Sequence, residues 1–443
     1  MTILNKKAAW VLLAGDVAAF ILSLWLTLLI RYAVKPEKAT FLDHLAPFSV
    51  LFLVWLLVFF IFGLYDKQSV VFKSRVPVLL TQAQVANMLI ATAFFYFIPW
   101  YGISPKTTLF LYLLVSLGLI LLWRIYGYFI IVPRSRERAI LIGRGREMAE
   151  LSREIRENRH YNIDIADTID LERGGLEGFG ASAPAASLVV IDLSNDKVRS
   201  ALPRLYNLLF SRIRFIEMDE MYENVFDRVP LSLVQHHWFL ENVSTSPKLV
   251  YDTLKRCMDI VISLVLGLLS LVLYPLVYIA IKLDDGGPIF IVQDRVGQNG
   301  GLVKIFKFRS MARNETDLSK GLSENYVTRV GRFLRKSRID ELPQLWNVLR
   351  GDLSLIGPRP ELPSGVRLYE EQIPFYGIRH LIKPGLSGWA QIYHEDHPHH
   401  GQAVEETREK LSYDLYYIKN RSFLLDLNIA LKTIKELVSR KGR

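Results

Sequence analysis

The arrangement of apolar residues is what most restricts how this chain can fold. Four long apolar runs lie in the first 135 positions, roughly Ala8–Ile30, Leu45–Leu64, Val78–Trp100 and Leu109–Val132. A helix rises about 1.5 Å per residue, so runs of this length match the roughly 30 Å hydrocarbon layer of a bilayer. The first run is too long for a signal peptide, and no small-residue cleavage site follows it. Asp16 is the acid within these runs, and an acid at such a place usually faces a partner helix. An N-terminus inside the cell puts Lys6, Lys7, Lys67, Lys73, Arg75, Arg134, Arg136 and Arg138 in the cytoplasm. It leaves Arg31, Lys35, Lys38 and Lys106 outside. Four spans returning to the cytoplasm are therefore expected.

A fifth run, Ile260–Ile281, has 22 residues without a charge and contains Pro275. An ordinary span here would carry Arg329, Arg332, Arg335, Lys336 and Arg338 to the outside, against the positive-inside bias. A helix that enters over 258–282, breaks at Pro275 and returns to the same face avoids that conflict. Proline removes a backbone donor and clashes one turn back, so a break would fall there. A proline-kinked span is the alternative.

Between the fourth and fifth runs, short strand-like stretches at Ala139–Ile142, Leu188–Ile191 and Ile213–Glu217 alternate with helical ones, as in a parallel sheet. Gly143 and Gly145 resemble the start of a dinucleotide fingerprint, but the third glycine is missing and Ala149 is the nearest small residue. Asp164 or Asp167 could serve as the ribose acid; a tight strand-to-helix turn without cofactor is the simpler reading.

Of the 443 residues, 51% are apolar and 22% charged, which excludes a disordered or collagen-like chain. A single cysteine, Cys257, excludes a disulfide framework and any multi-cysteine metal site. The net charge of +10 beside so much apolar sequence means that charge and grease are segregated.

From Tyr251 onward the motifs become specific. Asp340 and Glu341 form an acid pair preceded by cations and followed by Pro343. A helical stripe runs through Ile339, Leu342, Leu345, Trp346 and Leu349, and Pro343 is tolerated in a first turn, so a helix is expected to begin near Asp340. Two carboxylates at that end could hold a divalent cation, or one could attack phosphorus; surface acids neutralising surface arginines is the plain alternative. Pro358 and Pro360 fix the turn carrying Arg359, which favours aiming a guanidinium at a phosphate. Lys383 opens another glycine-punctuated loop, and Gln293–Gly297 and Lys307–Met311 follow the fifth run.

Taken in order, Lys255, Arg256 and Asp259, the proline-broken run, Gln293–Gly297, Lys307–Met311, Ser337–Asn347, Gly351–Glu361, Lys383–Gln391 and Tyr413–Asn420 closely resemble the bacterial sugar transferase family. These are the polyprenyl-phosphate hexose-1-phosphate transferases, or monotopic phosphoglycosyl transferases. The resemblance covers about 180 residues. The preceding spans and α/β segment resemble the family's long form more loosely.

The resemblance implies transfer of a sugar 1-phosphate from a UDP-sugar to undecaprenyl phosphate, with release of UMP, as the priming step of exopolysaccharide or other surface-glycan synthesis. It implies that Asp340 attacks the β-phosphorus to give a covalent phosphosugar–enzyme. Glu341, with Asp340 beside it, would bind magnesium. Arg309, Arg335 and Arg359, then Arg379 and Lys383, are candidates for diphosphate and nucleotide contacts. The expected location is the bacterial cytoplasmic membrane, with the catalytic part on its cytoplasmic face. The partners are the two phosphorylated substrates and membrane lipids rather than nucleic acid, and pairing with a second copy is left open.

The expected architecture is thus a membrane protein of α plus α/β class. It has a four-helix transmembrane bundle over 1–135, a Rossmann-like domain over 136–247 and an α-rich catalytic domain over 248–443 with a re-entrant helix. Two departures from the family stand out. Tyr274, not serine, precedes Pro275, which puts in doubt a hydroxyl-to-backbone bond at the bend. His394, His397, His399 and His400 crowd one short segment, where Pro398 argues against a single rigid metal site. The C-terminal Phe423–Val438 reads either as an interfacial amphipathic helix or as a core helix with a basic face. A membrane-anchored nucleotide-binding regulator with an inert C-terminal part, and a transporter, are the competing classes; the spans offer a transport path few polar groups.

Overall fold

The computed structural model describes residues 6–65, 76–97, 106–127, 137–158, 161, 163–172, 186–206, 213–243, 246, 248–313, 325–393 and 404–439. Lys67, Lys73, Arg75, Arg134, Arg136 and the histidine-rich segment 394–400 lie outside them. The chain divides into two compact units, 1–226 and 227–443.

The first unit opens with four apolar helices, α1 (Lys6–Tyr32), α2 (Lys38–Ile61), α3 (Val76–Phe97) and α4 (Lys106–Leu122). Each is long and apolar enough to cross a membrane, α4 together with the helical turn that follows it. Their shared core is aromatic: Phe20, Phe48, Phe52, Trp55 and Tyr112 are buried together, with the Phe48 and Tyr112 rings 5.1 Å apart. A π-helical turn, Trp123–Gly127, ends α4 and delivers Arg124 to Asp16 at 2.5 Å. Tyr65 also donates to Asp16, at 2.8 Å, and Arg124 reaches the Leu64 carbonyl at 2.6 Å. Asp16 therefore does face a partner helix, and the partner is a cation within the fourth apolar run.

The same unit contains four parallel strands, β1 (Glu137–Gly143), β2 (Ile163–Asp170), β3 (Leu188–Ile191) and β4 (Arg214–Glu217), in the order β2-β1-β3-β4. Helix α5 (Gly145–Glu157) follows β1, α6 (Asp196–Tyr206) follows β3 and α7 (Met218–Phe226) follows β4. Strand β2, which carries Asp164 and Asp167, is one the sequence pattern did not resolve. Gly145 needs glycine because its φ is +80°. At Gly143 a Cβ would lie 2.7 Å from Met218 Cε and 3.3 Å from Met148 Sδ, so the ends of two flexible methionine side chains pack over it.

The second unit begins earlier than the expected boundary at residue 248. Val229, Val234, Trp238 and Phe239, the latter two on α8 (His236–Asn242), are buried with Tyr376, Trp389, Leu415 and Ile429. Helix α9 (Leu249–Ser270) then leads through a 3₁₀ turn, Leu271–Leu273, into α10 (Tyr274–Asp284). The α-helical ladder is thus interrupted just before Pro275, which sits in the first turn of α10. Ser270 Oγ donates to the Gly267 carbonyl at 2.7 Å, so a hydroxyl-to-backbone bond exists one turn ahead of the proline. The 36-residue segment Leu249–Asp284 contains a stretch long and apolar enough to cross a membrane, and Leu268, Leu269, Val272 and Leu276 are exposed on it.

Three polar residues near the start of α9 bind it to the rest of the unit. Lys255 donates to the Ile356 carbonyl and to buried Asp426, both at 2.9 Å. Arg256 donates to the carbonyls of Val348 and Leu349, both at 2.7 Å. Asp259 accepts from the Leu355 amide at 3.0 Å. The remaining elements are short: the antiparallel pair β5 (Phe290–Val296) and β6 (Leu302–Phe308), the pair β7 (Met311–Arg313) and β8 (Asn325–Val327), then α11 (Arg329–Lys336) and α12 (Gln344–Arg350). After them come β9 (Ser354–Ile356) with its parallel partner β10 (Gly385–Ser387), α13 (Pro363–Gln372), α14 (Trp389–Tyr393), α15 (Val404–Asn420) and α16 (Phe423–Ser439). Helix α16 buries Asp426, Ile429 and Lys432 and exposes Leu424, Ile434 and Leu437, so one face belongs to the core.

Candidate active site

The acid pair lies on a 3₁₀ turn, Ile339–Glu341, rather than on the helix itself. Helix α11 ends at Lys336, and Arg338 then takes a left-handed conformation with φ of 54°. Hydrogen bonds from Glu341 to the Arg338 carbonyl, Leu342 to Ile339, Leu345 to Leu342 and Trp346 to Pro343 carry a three-residue repeat into α12. Helix α12 starts at Gln344, later than the apolar stripe suggests, because Pro343 occupies its N-cap. Ile339 and Leu342 pack with Val277, Ile281, Phe308 and Leu334, which turns the acids between them toward the cations.

Buried Asn347 fixes β6 against α12. Its Oδ1 accepts from the Phe306 amide at 3.1 Å and its Nδ2 donates to the Lys304 carbonyl at 2.8 Å. Lys307 is thereby brought to Glu341, with Nζ 3.6 Å from Oε1. Arg359 reaches the same oxygen at 3.3 Å.

The two acids differ in environment. Asp340 is 8% exposed, and no ion pair reaches it among the described residues. Burial, then the neighbouring Glu341 charge, pushes its carboxyl up to about 6, against the opposing pull of Lys307 and Arg335. Burial would raise Glu341 as well, but Arg359, Lys307 and Arg338 outweigh it and hold that carboxyl below its ordinary value. Burial lowers Lys307, and Glu341 acts against this.

The other expected contacts are placed as follows. Arg335 lies in the last turn of α11 and acts on Asp340 through its charge. Arg379 is buried, 5% exposed, and pairs with Asp414 at 2.9 Å. It also donates to Tyr376 Oη at 2.5 Å and to the Arg359 carbonyl at 3.0 Å. Burial pushes Asp414 up to about 6, and Arg379 opposes that shift. Arg295 donates to the Pro360 carbonyl at 3.3 Å, so two guanidiniums hold the main chain on either side of the Arg359–Pro360 bond. Arg309 is directed elsewhere: it pairs with Asp285 at 3.0 Å and donates to the Met311 carbonyl. Lys383 is exposed, with its Nζ near Gly351 beside the Arg256 guanidinium. Lys307 was not among the expected site residues, although its motif was.

No group of three or more metal-ligating side chains occurs among the described residues. Two adjacent carboxylates do fit magnesium, an ion that commonly takes one or two acids and completes its shell with water and substrate phosphate oxygens. Asp340 has no ion pair to displace, whereas Glu341 already faces two cations.

The sequence model of the bacterial sugar transferase family matches residues 250–440. An Aeromonas hydrophila UDP-N-acetylgalactosamine-undecaprenyl-phosphate N-acetylgalactosaminephosphotransferase is 38% identical over 258 residues, 57% of this chain and 59% of that protein. A Caulobacter vibrioides UDP-glucose:undecaprenyl-phosphate glucose-1-phosphate transferase is 39% identical over 196 residues, 44% of this chain and 73% of its own length. An exopolysaccharide production protein, PSS, of Rhizobium leguminosarum bv. phaseoli is 39% identical over 198 residues, 43% of this chain and 98% of that protein. Apolar helices long enough for a membrane, joined to α/β elements and a buried acid pair among cations, define a membrane-associated α/β protein. The chain belongs to the bacterial sugar transferase family.

Proposed function

We propose that this chain transfers a sugar 1-phosphate from a UDP-sugar to undecaprenyl phosphate at the cytoplasmic face of the bacterial inner membrane, releasing UMP. The observation that carries the reading is the buried, unpaired Asp340 set beside Glu341, Lys307 and Arg359. A carboxylate with an elevated pKa is still mostly ionised at neutral pH, and its poor solvation makes it a better nucleophile.

In the first half-reaction an Asp340 carboxylate oxygen attacks the β-phosphorus of the donor. The bond from that phosphorus to the bridging oxygen breaks, and UMP leaves with the electron pair. In the second half-reaction an oxygen of undecaprenyl phosphate attacks the same phosphorus and returns Asp340 as a carboxylate. Neither step needs a general acid, so the residues act by position and charge. Arg359, held by its neighbours, and Lys307 neutralise charge on the transferring phosphoryl group. Asp340 and Glu341 would hold magnesium, which supplies further neutralisation of the diphosphate. Arg335 and Lys383 are the outlying cations available to the nucleotide. Helix α9 to α10 enters one leaflet and turns back at the 3₁₀ turn before Pro275, which brings the lipid phosphate to the acid pair.

The test is to incubate membranes containing the protein with undecaprenyl phosphate, magnesium and a panel of UDP-sugars and to measure UMP. The panel includes UDP-glucose and UDP-N-acetylgalactosamine, the sugars in the relatives' names. UMP release with one sugar, lost in Asp340→Asn, is the expected result. No UMP from any sugar, or release that persists in Asp340→Asn, refutes the reading.

A further inference from the structure

Trp346 lies five residues beyond Glu341 on α12, and its indole N–H donates to Tyr274 Oη at 3.1 Å. Tyr274 is the first residue of α10, directly after the break. The same indole also lies along α9 before the break, because a Cβ built on Gly267 would be 3.9 Å from its outer ring carbons. Gly267 and Tyr274 are two helical turns apart. One side chain of the acid-bearing segment therefore spans the 3₁₀ turn and touches the helix on both sides of it.

The phenol ring extends the connection. Tyr274 packs edge-on against Phe308, with centroids 4.9 Å apart, and Phe308 follows Lys307 on β6. Tyr274 also joins the apolar cluster that includes Ile339 and Leu342, the residues on either side of Asp340 and Glu341. Among the described residues, the other side-chain hydrogen bonds between Asp259 and Asp284 are local, from Ser270 to the Gly267 carbonyl and from Lys282 to the Gly286 carbonyl just past the helix end, so Trp346–Tyr274 is the one that reaches the acid-bearing segment. The break and the acid pair cannot shift independently while it holds.

We infer that Tyr274 and Trp346 are positioning residues for the acceptor step: they set the membrane-helix break at a fixed place relative to Asp340, so that a polyprenyl phosphate arriving along that helix meets the phosphorus in line. The inference rests on the transferase reading above and adds to it which half-reaction the pair serves. The donor is water-soluble and reaches Asp340 without the helix. The acceptor phosphate is carried by a lipid whose approach the helix defines, and in-line displacement is sensitive to displacements of about 1 Å, which can lower a rate about 100-fold.

The two half-reactions are separable in the full-length protein in nanodiscs. With an active UDP-sugar and magnesium but no acceptor, the burst of UMP reports the first step; adding undecaprenyl phosphate then reports the second. Tyr274→Phe keeps the ring and loses the hydroxyl, and Trp346→Phe loses the N–H donor. The expected result is a burst equal to wild type in both variants, with the acceptor-dependent rate down about 5- to 50-fold and the KM for undecaprenyl phosphate raised. The double variant is expected to be little worse than either single one, because both remove the same bond. Acceptor rates equal to wild type in both variants overturn the inference, as does an equal loss in burst and acceptor step. A wild-type protein that gives no burst but releases UMP once undecaprenyl phosphate is added overturns the covalent step and this inference with it, and one that releases no UMP even then overturns the transferase reading itself.

Discussion

The buried guanidinium of Arg379 donates to the main-chain carbonyl of Arg359 at 3.0 Å, so one arginine sets the direction in which the other points. Their substitutions are expected to differ. Arg359→Ala removes a half-exposed cation facing Glu341, and activity should fall with stability changed by about 1 kcal/mol or less. Arg379→Ala leaves Asp414 buried without its partner, and unfolding free energy should drop by about 3–5 kcal/mol. Arg379→Met combined with Asp414→Leu should recover much of that stability and none of the activity. Denaturant unfolding beside UMP release measures both.

Asp340 should make the protein less stable above pH 6. Its carboxyl titrates at about 6 in the folded chain and near the ordinary value of 3.8 when unfolded. Between those values the folded state holds more protons, so stability falls as pH rises through the window and the full cost is present above it. Asp340→Asn removes the dependence and should stabilise the protein at neutral pH by about 1–3 kcal/mol while abolishing transfer. Thermal unfolding from pH 4 to 8, without divalent ions, would show whether the slope belongs to Asp340.

Lys307 opposes the upward shift of Asp340 and pairs with Glu341. Lys307→Met should therefore raise the Asp340 midpoint further, since the two carboxylates then repel each other less compensated. The acid limb of the UMP burst should move to higher pH, and Lys307→Arg should return it toward wild type. An unchanged limb would separate Lys307 from the titration of the pair.

The membrane course of α9 and α10 can be read by labelling. Leu302, 67% exposed, lies past the far end of this helix. In a Cys257→Ser background, Leu302→Cys should react with an impermeant thiol reagent only from the cytoplasmic side if the helix returns to the face it entered. Reaction from outside would mean a complete crossing.

Much of this organisation was legible in the sequence because membrane entry and helix breaking are local properties. The four runs became α1 to α4, and Pro275 marked the interruption to within a turn. Asp340 and Glu341 by themselves read equally as surface acids neutralising surface arginines, and it was the ordered motifs around them that singled the pair out. What depended on distant partners was not legible. Arg379 reads as a candidate for diphosphate and nucleotide contacts until Asp414, far along the chain, is folded onto it. Lys307 and Arg309 share a spacing that would put both on one face of a strand, yet β6 ends at Phe308 and Arg309 turns to Asp285. Strand β2 was obscured by Asp164, Asp167 and Asp170, which interrupt its apolar pattern. The pairing of Asp16 with Arg124 required knowing that a π-helical turn closes α4.

The bonds from Lys255, Arg256 and Asp259 end on main-chain atoms at Ile356, Val348, Leu349 and Leu355, so the greasy helix is riveted to the frame that carries Arg359 and the end of α12. A fragment cut after Asp284 to make the enzyme soluble would lose those rivets, and its acid pair would rest on loosened supports. The helix and the site can be inherited only together.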